Sequence, residues 1–116
     1  MTAPDRGDLV WLSFHPQAGS EQSGRRPALV LSPASYNRVA GLMLACPITK
    51  QAKGYPFEVA LSNESPVTGV VLVDHIKSVD WRARECTAIT KAPTSVVEKV
   101  SDLLRLLLQL GAQTKR

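Results

Sequence analysis

After Pro93 the sequence changes its period, and no other feature constrains the fold as much. The segment TSVVEKVSDLLRLLLQLG places apolar residues at 96, 97, 100, 103, 104, 106, 107, 108 and 110, a helical repeat. Ser95 and Glu98 have capping-box spacing, and Gly111 is a natural stop. The stripe is wider than a one-sided surface helix requires. One long helix is therefore expected to cover a sheet and to meet a further neighbour, with a second subunit as the candidate.

Upstream of Pro93 the apolar runs are short and bounded by turn residues, the pattern of strands. They fall at Asp8–Phe14, Pro27–Ser32, Leu42–Thr49, Phe57–Leu61 and Gly69–Val73, with shorter ones at 76–80 and 86–90. Pro47 inside the third run implies an edge strand or a bulge. Residues 33–41 read as a turn or a short helix. The layout predicted is a mainly β fold, a strongly bent antiparallel sheet or small barrel closed by the C-terminal helix. At 116 residues the chain is expected to form one domain over 1–116, with flexible ends at about 1–4 and 112–116.

Apolar residues make up 44% of the chain, enough for a core without metal or disulfide support. No apolar run approaches the roughly 18 residues of a membrane span, and MTAPDRGD lacks the pattern of a signal peptide. Cys46 and Cys86 sit in apolar, strand-like surroundings and read as buried free thiols of a cytoplasmic protein, with a disulfide as the alternative.

The net charge is +4, and its placement says more than its size. Between residues 21 and 53 lie Arg25, Arg26, Arg38, Lys50 and Lys53 against Glu21 alone. A focused positive patch suits a polyanion such as nucleic acid, or an acidic protein segment; a solvated surface is the plain alternative. The loop HPQAGSEQSGRR over 15–26 is long for a compact domain, as functional rims and lids are. It carries Glu21, Arg25 and Arg26 to the edge of a strand. A carboxylate that can take a proton beside guanidiniums that match phosphate oxygens suits cleavage of RNA through its own 2′-hydroxyl. The plain alternative is a surface ion pair contributing about 0–1 kcal/mol.

Thr49 closes its strand beside Lys50, where a hydroxyl can hold a phosphate or simply favour β structure. His15 and His75 have no partners at metal-ligand or triad spacing. Asp74–His75 reads weakly as an acid–base pair or RNA contact. Trp81 with Arg82 and Arg84 reads either as a base-stacking clamp or as a core tryptophan. The sequence has no P-loop, GxGxxG, CxxC or HExxH motif, so no cofactor and no metal are expected.

The segments RGDLVWLSFHP (6–16), GSEQSGRRPALVLSPASYN (19–37), CPITKQAKGYPFEV (46–59) and GVVLVDHIKSVDWRAR (69–84), with the closing helix, resemble the MazF/PemK (Kid) family of toxin endoribonucleases, nearest to its MazF branch. The resemblance covers about Pro4 to Leu110. It implies a small SH3-like β-barrel with a C-terminal helix, assembled as a homodimer. It also implies a toxin of a type II toxin–antitoxin pair that cleaves single-stranded RNA, mainly mRNA, at specific sequences without metal. The products implied are a 2′,3′-cyclic phosphate and a 5′-hydroxyl. Position by position, the family's arginine and threonine fall on Arg26 and Thr49, and its loop glutamate on Glu21. Arg25, Lys50, Gln51, Lys53, Asp74 and His75 are the implied RNA contacts.

In the Kid branch an Arg-x-Asp supports catalysis, and a histidine stands where this chain has Ser20. Here the first reads Leu72-Val73-Asp74, so Arg26 must carry more of the charge. The implied partners are single-stranded RNA, a second copy of the chain and an acidic antitoxin. The alternative is a CcdB-like toxin that inhibits a protein such as gyrase without cutting RNA.

Overall fold

The computed structural model describes residues 2–13 and 24–110. Seven strands form in chain order: β1 (Asp8–Ser13), β2 (Arg25–Val30), β3 (Leu42–Thr49), β4 (Glu58–Ala60), β5 (Val70–Leu72), β6 (Lys77–Asp80) and β7 (Thr87–Lys91). Helix α1 (Ala34–Ala40) joins β2 to β3, a 3-10 turn (Val73–His75) follows β5, and α2 (Thr94–Gln109) closes the fold. All strand pairs are antiparallel. The pairing path runs β4-β5-β3-β2-β1-β7, with β6 also on β3. Among the described residues β4 and β7 are the ends of that path, so the bent sheet is open rather than a hydrogen-bonded closed barrel.

Strand alternation builds a core on each face of the sheet. Leu9, Leu29, Cys46, Val71 and Val73 pack on one face beneath Val96 and Val100 of α2. Val10, Leu12, Ala28, Val30, Met43, Ala45, Val79 and Trp81 fill the other. Each fully buried Leu or Met contributes roughly 1.5–3 kcal/mol. Among the described residues the distal part of the α2 stripe finds no cover: Leu106, Leu108 and Leu110 are 50%, 82% and 57% exposed.

Three local expectations need correction. The capping box does not form. Pro93 is the N-cap of α2, without a side-chain cap, which puts Ser95 inside the first turn. β3 is a central strand, despite Pro47. Its outer edge pairs with β6 through Ala45 and with β5 from Ile48, and Pro47 falls in the gap between them. Cys86 is half-buried in the turn before β7, not in a strand. Both thiols are free, and burial pushes them up, Cys46 to about 12 and Cys86 to about 11.

A polar hub ties the N-terminal segment to this frame. Buried Asn37 donates from Nδ2 to the carbonyls of Pro4 and Ser32 and accepts from the Ser32 hydroxyl. Its own carbonyl accepts from Trp81 Nε1 at 2.9 Å. Trp81 is 1% exposed, so it is a core residue. Its ring carries the Arg82 guanidinium 4.7 Å from the centroid.

Candidate active site

The site is built where β2 begins and β3 ends. The recorded β2–β3 register is Ala28↔Pro47, Leu29↔Cys46 and Val30↔Ala45. The ladder closes there, two residues short of Arg26 and Thr49 on their strands. The Leu31 N–H donates to the Leu44 carbonyl, so by alternation 28/47 is a non-hydrogen-bonded position, where facing side chains stand closest. Pro27 has no N–H to offer Ile48, which accounts for the ladder ending where it does. Leu12 pairs with Arg26 on one side and Val70 with Thr49 on the other. Each of the two is thus held in register by a strand on its far side.

Thr49 is fixed by its neighbours. Gly69 has φ +118, and a Cβ there would lie 2.2 Å from the Thr49 carbonyl oxygen and 3.1 Å from Lys50 Cα. Only glycine permits that approach. The Thr49 hydroxyl accepts the Gln51 N–H at 3.1 Å, which leaves its own proton to donate.

Beyond Thr49 opens a cleft of about 200 Å³ walled by Thr49, Gln51, Lys53, Tyr55, Glu58, Leu72, Asp74 and His75. Five residues singled out in the sequence thus gather here: Thr49, Gln51, Lys53, Asp74 and His75. Lys50 is exposed beside Thr49. The 3-10 turn presents Asp74 and His75 together, with Nε2 to Oδ1 at 4.0 Å. Arg26 is exposed on β2, paired with Leu12 of β1, and is not among the residues that wall the cleft.

Arg25 goes elsewhere. Successive residues of a strand point to opposite faces, which separates Arg25 from Arg26. Its guanidinium donates to Ser13 Oγ, Thr87 Oγ1 and the Glu85 carbonyl at 2.7 Å each, and lies 3.8 Å from the Glu85 carboxylate. It straps β1, β2 and the turn before β7 together and does not line the cleft. Glu21, His15 and Ser20 lie outside the described residues.

Tyr55, Glu58 and Gly69 were not singled out from the sequence. Tyr55 and Glu58 stood in view inside the KGYPFEV segment, and Gly69 at a strand entry. Tyr55 is 61% exposed on the cleft wall, an aromatic face available for base stacking. The cleft thus combines cationic, hydroxyl and aromatic groups, the set that binds a single strand's phosphates and bases. Among the described residues no group of three or more His, Cys, Asp or Glu side chains gathers to hold a metal, and no helix is long and apolar enough to cross a membrane.

Comparison with known proteins bears on the same residues. The family model described as PemK-like, MazF-like toxin of type II toxin-antitoxin system matches residues 5–108. The endoribonuclease toxin MazF of Escherichia coli K12 is 56% identical over 84 residues, spanning 72% of this chain and 75% of that protein. The endoribonuclease toxin ChpB of the same strain is 43% identical over 107 residues, 88% of this chain and 90% of that one. A crystal structure of MazE-MazF from Deinococcus radiodurans superposes with TM-score 0.86 at 56% identity, covering 94% of this chain and 99% of that chain. The match takes in Arg26, Thr49 and the whole cleft, and with it the chain belongs to the PemK/MazF family of type II toxin–antitoxin toxins.

Proposed function

We propose that the protein is the toxin of a type II toxin–antitoxin pair, an endoribonuclease that cuts single-stranded mRNA at specific sequences without metal. Beside family membership, the reading rests on one observation, the cleft that gathers Thr49, Gln51, Lys53, Asp74 and His75 at the end of β3. In the step proposed, the ribose 2′-oxygen attacks the adjacent phosphorus and the bond to O5′ breaks. A base takes the 2′ proton and O5′ acquires one, leaving a 2′,3′-cyclic phosphate and a 5′-hydroxyl. Arg26 neutralises charge on the pentacoordinate phosphorus, a role for a guanidinium that stays charged. Thr49 donates to a phosphate oxygen. Glu21 is the candidate base. Lys50, Gln51, Lys53, Asp74 and His75 contact the strand, while Arg25 acts through the frame.

The crystallised Deinococcus relative is a MazE-MazF complex. By that relation, this toxin is held by an acidic antitoxin that blocks its RNA path, and it works as a homodimer in the cytoplasm. Relatives named endoribonucleases give no support to the alternative of gyrase inhibition. The test is to incubate the purified protein with single-stranded RNA in EDTA and map the ends. Cyclic-phosphate termini are expected. Intact RNA, or cutting that survives replacement of the scissile 2′-hydroxyl by hydrogen, would overturn the reading.

A further inference from the structure

We propose that Glu58 is a positioning residue, whose carboxylate holds the loop over 50–56 in the shape that lines the cleft and thereby sets how tightly RNA binds. The proposal rests on the nuclease reading above. Glu58 is the first residue of β4 and is fixed opposite Leu72 of β5. Its two carboxylate oxygens accept the Lys53 N–H at 3.1 and 3.2 Å, and one accepts the Gly54 N–H at 3.0 Å. Its own N–H donates to the Tyr55 carbonyl at 3.2 Å. Gly54, at φ +78, supplies the left-handed turn that brings the two N–H groups to one point.

Among the described residues no strand pairs with residues 50–56, yet Gln51, Lys53 and Tyr55 of that loop form much of the cleft wall. Their placement therefore depends on a tether from outside the loop. A carboxylate in a cleft built for phosphate opposes its ligand by Coulomb repulsion. Charge-assisted bonds to two backbone amides turn its oxygens inward and account for its presence.

The test compares Glu58→Ala with Glu58→Gln on a short single-stranded RNA carrying one cut site. Glu58→Ala should raise KM about tenfold, a loss of about 1.4 kcal/mol in binding, with kcat within about twofold. Glu58→Gln keeps one carbonyl acceptor, at the Oε1 position that both N–H groups share, and loses the second acceptor and the charge, so it should raise KM less than the alanine change does. Amide hydrogen exchange at Lys53 and Gly54 should speed up most in the alanine variant and less in the glutamine variant. Should the alanine variant fold poorly, Glu58→Asp, with its shorter reach, should move KM and exchange in the same direction. A fall in kcat at constant KM would place Glu58 in the chemistry and overturn the proposal, as would unchanged amide exchange. The exchange readout does not require cleavage. A wild-type protein that leaves RNA intact while Lys53 and Gly54 remain Glu58-dependent would sink the nuclease reading and spare the tether.

Discussion

Arg26 on β2 pairs with Leu12 of β1 and Thr49 on β3 with Val70 of β5, while the β2–β3 ladder between them closes two residues short of both, at Ala28 and Pro47. Neither position owes its place to the mobility of a loop: both are strand residues, anchored by Leu12 on β1 and Val70 on β5. By strand alternation both side chains lie on the sheet face that carries Ala28, Val30 and Ala45. Strand residues hold a cation and a hydroxyl with less freedom than loop residues do, the kind of preorganisation that stabilises developing charge.

Arg26→Ala should therefore lower RNA cleavage by about 10²–10³-fold, comparable to losing an oxyanion donor. The side chain is exposed, so the fold should survive. Single-turnover cleavage and circular dichroism check the two halves. An unfolded variant would mean that Arg26 serves the structure and not the reaction.

Gly69→Ala should damage activity although the residue itself offers nothing to RNA. The added Cβ would meet the Thr49 carbonyl carbon at 2.8 Å and its oxygen at 2.2 Å, and these are backbone atoms that cannot swing aside. Relief must come from moving the Thr49–Lys50 backbone or the start of β5. Expected is a fall in kcat of about tenfold or more, the range for a small misplacement of a reacting group, with some loss of stability from the positive φ. Wild-type kcat in a folded variant would show that the Thr49 hydroxyl tolerates the shift.

Particular residues show how far the sequence carried the argument. Thr49, Gln51, Lys53, Asp74 and His75 converge on one cleft, and the strands sit close to where short apolar runs placed them. β2 starts at Arg25 rather than Pro27 because Ser13 and Leu12 pair with the two arginines, a tertiary cause that composition does not carry. Arg25 and Arg26 read as one basic pair along the chain, yet strand alternation parts them. Residues 33–41 read as a turn or a short helix, and only the packed fold brings Pro4, Ser32 and Trp81 to Asn37 within it. Glu58 drew no notice because its partners are backbone amides, which leave no signature in side-chain spacing.

Arg25 provides a contrast in kind. Removing it strands three oxygen acceptors that it now satisfies at 2.7 Å. Arg25→Ala should destabilise the protein by about 1.5–3 kcal/mol, the range for hydrogen bonds to a charged group. Lysine cannot reproduce the forked geometry, so Arg25→Lys should recover little. Urea unfolding measures the loss. The salt dependence of binding to a 2′-deoxy strand should stay as in the wild type, whereas Lys53→Ala should lower that slope by about 0.7, one phosphate contact. A shallower slope for Arg25→Ala would place Arg25 on the RNA after all.

Asp5 gives the fold a dependence on acid. Helix α1 has Pro33 as N-cap with no side-chain cap of its own, and its first N–H, from Ala34, is taken by Asp5 Oδ1 at 2.8 Å. That bond, together with one from the Arg6 N–H and the Lys91 ammonium 3.9 Å away, holds the Asp5 carboxyl below its ordinary value of 3.8. Asp8 Oδ2, which accepts the Asp5 N–H, and the Lys91 ion pair with Asp8 at 2.7 Å complete the charged surroundings. A carboxyl depressed in the folded state stabilises it above the unfolded value and stops doing so as pH falls through the folded value. Asp5→Asn keeps a carbonyl acceptor and removes the charge, so it should lower stability at neutral pH by no more than about 1 kcal/mol, given the exposure of the group. Between neutral pH and about pH 2 the gap between wild type and variant should close. Thermal melts of the two proteins across that interval decide the matter, since a gap independent of pH would mean that the Asp5 charge contributes nothing to the fold.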